Sequence, residues 1–141
     1  WLLALRRLGV PTLDMALIGR WIGHVFKGRV AHDAIAKASP VPGERALGWA
    51  AHYAVGIAFA GVLAALFGTA WARNPSLLAA LDVGIGSVLA PWFVMQPAMG
   101  AGIAASRTPV PAKNRLRSLA NHGVFGVGLY VSALAVGRVW A

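Results

Sequence analysis

Three stretches of this 141-residue chain, residues 46–70, 77–104 and 116–140, are each long and apolar enough to cross a bilayer. A hydrocarbon core of about 30 Å takes roughly 20 apolar residues in a helix, so each stretch suffices alone. They predict an all-α fold, a polytopic transmembrane helical bundle organised as a single domain over residues 1–141. Composition agrees: 58% of residues are hydrophobic and 12% charged, whereas a soluble domain carries about 25% charged residues.

The formal charge of +9 raises the question of a nucleic-acid partner, and the placement of the 13 Lys and Arg answers it. Arg6, Arg7, Arg20, Lys27, Arg29, Lys37 and Arg45 precede the first complete span, and Arg107, Lys113, Arg115 and Arg117 lie between the second and third. Only Arg73 separates the first from the second. This is the asymmetry of the positive-inside rule, so the charge reads as topology and no nucleic acid is expected. Residues 6–45 and 105–117 are expected in the cytoplasm and residues 72–76 outside. There is no cysteine, which excludes disulfides, thiolate metal sites and a cysteine nucleophile.

The chain opens with Trp1-Leu2-Leu3-Ala4-Leu5 before Arg6-Arg7. Apolar residues followed by basic ones fit the end of a truncated first span over residues 1–5 better than a signal peptide, whose basic residues come first. Residues 12–26 follow as an amphipathic helix suited to the interface. Leu13, Leu17, Ile18, Trp21, Ile22, Val25 and Phe26 share one face, and Arg20, His24 and Lys27 the other. Thr12 is the expected N-cap, with Asp14 in the first turn. Ser39-Pro40-Val41-Pro42-Gly43 then interrupts any helix. Within the spans, Gly56 and Ala60 on the first and Gly126 and Gly128 on the third are candidate helix-packing positions, because small residues let membrane helices approach.

Polar groups at membrane depth are candidates for function. Counting from the basic edges puts His52 about 10 Å and His122 about 8 Å up their spans, with Met99 and Gln96 at about 12 and 16 Å. One layer near the cytoplasmic side therefore holds His52, His122, Gln96, Met95 and Met99, a set that suits a haem, a soft metal or a quinone headgroup. No metal-binding motif is present, so no metal ligands are assigned and the cofactor is left unknown. Pro91 and Pro97 are expected to kink the second span, a feature that can line a substrate path. No nucleophile-elbow context surrounds any serine and no acid/base pair stands out, so catalysis is not expected.

Gly43-Glu44-Arg45-Ala46-Leu47-Gly48-Trp49, Ala51-His52-Tyr53, Met95-Gln96-Pro97-Ala98-Met99-Gly100, Ala104-Ala105-Ser106-Arg107-Thr108-Pro109 and Leu116-Arg117-Ser118-Leu119 carry a resemblance. With Pro11-Thr12-Leu13-Asp14 and Gly19-Arg20-Trp21, they resemble a bacterial family of membrane proteins, domain of unknown function 2938. The resemblance implies one more apolar helix at the start and supplies no activity, substrate or cofactor. The expectation is a multi-pass protein of the bacterial inner membrane, non-enzymatic, acting as an accessory or structural subunit of a larger complex or as a homo-oligomer in the lipid bilayer. The alternative is a small-molecule carrier or a haem, metal or quinone binder using the polar layer. Glu44 and Arg107 are expected to pair across the loops.

Overall fold

The computed structural model describes Arg7 and residues 14–139, and every regular element among them is helical. The expected end of an earlier span over residues 1–5 and the expected Thr12 cap lie outside the described residues.

Helix α1 spans Met15–Val25. Its N-cap is Asp14, whose carboxylate accepts from the Ala16 N–H at 3.0 Å, so Asp14 precedes the helix instead of lying in its first turn. Met15, Ile18, Gly19 and Gly23 are buried, a spacing that defines one helical face. That face packs against the first turns of α2, which spans Glu44–Arg73. Gly43 adopts φ +71°, a left-handed turn open to glycine, and lets α2 start directly after the proline-rich loop. Near its other end Gly68, at φ +63° and ψ −164°, breaks the helical path.

The second span is not one helix to Ala104. Helix α3 covers Leu77–Gly86, a π-helical turn covers Pro91–Met95, and a single α-turn, Gln96–Ala98, follows. Pro91 has no N–H to give, and its ring clashes with the carbonyl four residues back, so the ladder resets. The Gln96 N–H reaches the Pro91 carbonyl five residues away. Gly100 at φ +94° and Gly102 at φ +73° then end the span at Ala98. Helix α4 spans Pro111–Val139, starting five residues before the expected 116 with proline at its first position, where a missing N–H is harmless.

Three helical stretches, Glu44–Arg73, Leu77–Ala98 and Pro111–Arg138, are therefore long and apolar enough to cross a membrane. The spans meet around Leu63, Ala79, Ala80 and Val83, with Phe59, Trp71, Leu129 and Tyr130 packed over them. At the loop end of the bundle, the His32 N–H donates to the Ala98 carbonyl (2.8 Å) and the Ile35 N–H to the Met99 carbonyl (3.0 Å). The loop between α1 and α2 is thereby seated on the end of the second span.

Candidate functional site

The best-built polar cluster lies where α1 crosses α2. A Cβ at Gly19 would overlap the Glu44 carbonyl, and one at Gly48 would overlap the Met15 carbonyl, so the backbones are in contact. This approach brings the Arg20 guanidinium onto the Glu44 carboxylate: Nε donates to Oε2 at 2.9 Å and Nη2 to Oε1 at 2.7 Å. Such a bidentate fork fixes direction as well as distance. The carboxylate raises the already high pKa of Arg20, chiefly through this hydrogen bond. Arg20 Nη1 also donates to the carbonyls of Ala36 (3.2 Å) and Ala38 (3.1 Å), while Glu44 Oε2 accepts from the Val41 N–H (2.9 Å). One ion pair thus closes the loop onto two helices. Glu44 is paired with Arg20 and not with Arg107, because the glycine crossing places α1 against its side chain.

Two histidines continue the cluster. His24 Nε2 lies 2.9 Å from the Ser39 carbonyl, which only accepts, so that nitrogen carries the proton. His24 Nδ1 lies 3.1 Å from His32 Nε2, with ring centres 4.9 Å apart. His32 is 6% exposed. Burial lowers its pKa, and the nearby Arg29 charge adds to the effect. Its Nδ1 is buried without a hydrogen-bond partner, as are Trp92 Nε1 and Gln96 Oε1. Trp21 Nε1 donates to the Val30 carbonyl at 2.8 Å and holds the start of the same loop.

The residues expected to share one layer have different immediate partners. His52 is exposed, its ring against Trp49 (5.8 Å) and Tyr53 (5.9 Å) on its own helix. His122 Nδ1 lies 2.7 Å from Ser87 Oγ, and that hydroxyl donates to the Gly84 carbonyl at 2.6 Å. The serine has one proton to give, so His122 donates to it and α4 is pinned to the end of α3. Gln96 and Met95 are half-buried, and Met99 is buried beneath the Ile35 turn. No group of three His, Cys, Asp or Glu that could hold a metal occurs among the described residues.

The packing positions divide. Gly126 lies against α3, where an added Cβ would come within 2.8 Å of the Ala80 carbonyl, and its counterpart is Gly84. Gly56 faces Phe125 at ordinary contact distance, Ala60 is half-buried, and Gly128 meets nothing within 4 Å. Sequence reasoning missed Gly19, Gly48 and Gly84 as contacts, and Arg20, His24 and His32 as one cluster. A signal existed for the first pair. Gly19-Arg20-Trp21 and Gly43-Glu44-Arg45-Ala46-Leu47-Gly48 each hold one glycine of the crossing and one partner of the ion pair.

No curated protein and no solved structure matches the chain. The sequence model of a family described as Protein of unknown function (DUF2938) matches residues 1–136, nearly the whole chain, and the protein belongs to that family.

Proposed function

We propose that this protein works by association within a membrane, as a non-enzymatic accessory or structural subunit in the bacterial inner membrane. The observation that carries this reading is the outward placement of polar side chains on two spans: His52 and Asp82 are both exposed. Asp82 lies five residues past Leu77, about 8 Å into its span. A carboxylate or imidazole facing hydrocarbon is unfavourable, and a neighbouring protein helix can supply the missing hydrogen bonds. The outer spans also leave room for such neighbours. The most apolar windows of Glu44–Arg73 and Pro111–Arg138 bury 6% of their residues, against 33% for Leu77–Ala98.

The test is purification of the full-length protein from its native membrane in mild detergent, with mass spectrometry of all co-purifying chains and an absorption spectrum of the same fraction. A stoichiometric companion chain, or a second copy, in a colourless fraction is expected. A solitary protein carrying a chromophore or small molecule would overturn the reading in favour of a carrier or cofactor binder. The observation favouring that second reading is the set of three unpartnered buried atoms on His32, Trp92 and Gln96.

A further inference from the structure

We propose that His24 and His32 form the protein side of a binding site for a first-row transition-metal dication of the zinc, copper or nickel type, with His24 Nδ1 and His32 Nε2 as ligands. The inference goes beyond the associative reading and does not depend on it. It starts from two distances that a shared metal reproduces as well as a bent N–H···N bond does. A near-linear N–H···N bond 3.1 Å long, with each ring axis along it, would put the ring centres about 5.4 Å apart. They are 4.9 Å apart, so at least one ring axis is bent away from the line joining the nitrogens. Placing an ion about 2.05 Å from each nitrogen reproduces the 3.1 Å separation at an N–metal–N angle of roughly 98°. The same construction puts the ring centres about 4.8 Å apart, close to the observed value.

One far nitrogen, His24 Nε2, is arranged as a ligand requires, while the other, His32 Nδ1, is buried without a hydrogen-bond partner. Metal-bound imidazoles donate their other N–H to a carbonyl or carboxylate, which fixes tautomer and ring direction. His24 does this: Nε2 donates to the Ser39 carbonyl at 2.9 Å, leaving the Nδ1 lone pair facing His32. His32 is buried, and its backbone N–H is anchored on the Ala98 carbonyl at 2.8 Å. Helix α1, the loop that follows it and the end of the second span therefore converge on two nitrogens whose residues stand eight positions apart, with a left-handed Gly28 between them.

The ligand chemistry selects the ion. Two neutral imidazoles suit zinc, copper and nickel, whereas calcium and magnesium take oxygen ligands. Of the carboxylates nearby, Glu44 is committed to Arg20 through both oxygens, and Asp33 adjoins His32 in sequence. With no group of three His, Cys, Asp or Glu among the described residues, the remaining coordination positions fall to water or to an incoming ligand. Such a site is open, unlike a closed structural zinc site.

The experiment uses untagged full-length protein in nanodiscs, stripped of metal and then titrated with Zn²⁺ alone by equilibrium dialysis. One equivalent is expected to bind saturably, without competition from Mg²⁺. His24→Ala and His32→Ala are each expected to weaken it at least tenfold, the lower bound for disturbing ligand geometry in the about 10–100-fold range. Cu²⁺ loaded into the unmodified protein supplies a reading that needs no variant: pulsed electron paramagnetic resonance should show the remote nitrogens of two imidazoles. Absence of saturable binding, one equivalent retained in both variants, or fewer than two imidazoles on Cu²⁺ would each overturn the proposal.

Discussion

Two helix crossings among the described residues use the same contact and different fasteners. At one, Gly19 of α1 meets Gly48 of α2; at the other, Gly84 of α3 meets Gly126 of α4. Each is flanked by a polar pin between the same two elements or their immediate ends. The first pin is the Arg20–Glu44 ion pair, reinforced by three further hydrogen bonds to loop backbone. The second is neutral, His122 on Ser87 with the hydroxyl passed on to the Gly84 carbonyl. The difference follows from depth. Glu44 is the first residue of its span-forming helix, beside a polar loop, whereas Ser87 and His122 lie further inside theirs. A charge pair can be hydrated as it forms near the membrane edge, while a hydroxyl and an imidazole satisfy each other without water.

The largest effect is expected from filling a crossing. Gly48→Ala places a methyl group on the Met15 carbonyl, with backbone on both sides and no flexible side chain to yield. It should destabilise the protein by about 3 kcal/mol, the upper part of the usual overpacking range. Gly84→Ala should behave alike, since its Cβ would meet Gly126 backbone atoms. Gly128→Ala meets open space and should be neutral or stabilising by up to about 1 kcal/mol through helix propensity. Unfolding titrations in one detergent compare the three. Equal losses at Gly48 and Gly128 would break the claim that contact, rather than glycine content, holds the helices.

The ion pair comes next. Arg20→Met keeps much of the side-chain length and removes the fork, so the loop over residues 36–44 loses its common anchor. The expected readout is faster hydrogen exchange at the Val41 N–H, together with a lower melting temperature. Arg20→Lys should restore little, because a point ammonium cannot reproduce two parallel bonds to a carboxylate and two more to carbonyls. Rescue by lysine would show that net charge, not the fork, matters at this crossing.

Much of the fold was legible because hydrocarbon thickness imposes a length on each span, and residues 46–70 and 116–140 carry that length plainly. Their helices extend to Glu44–Arg73 and Pro111–Val139. The second span was legible only to its kink. Pro91 announces the broken ladder, but Gly100 and Gly102 look apolar to a hydropathy count while their positive φ values end the helix. The cluster was harder to read. Arg20 and Glu44 are 24 residues apart, and nothing in local periodicity says that a glycine crossing will join them. Depth counting has the same blind spot: it puts His52 and His122 at similar height and says nothing of the groups that each ring touches. The structure gives His52 the neighbours Trp49 and Tyr53, and His122 the neighbour Ser87.

The neutral pin should give the smallest loss and the clearest contrast with the charged one. Ser87→Ala removes the hydroxyl that accepts from His122 and leaves the Gly84 carbonyl to its helical partner alone. Hydrogen bonds between membrane helices contribute about 0.6 kcal/mol on average and rarely more than about 1.7, so the loss should fall in that range. A double-mutant cycle with His122→Ala separates the pin from the packing of the ring itself. Coupling near the average would make the glycine contact the chief fastener of α3 to α4, whereas coupling several times larger would make the Ser87–His122 bond the equal of the Arg20–Glu44 fork, and depth alone would no longer account for the difference between the two crossings.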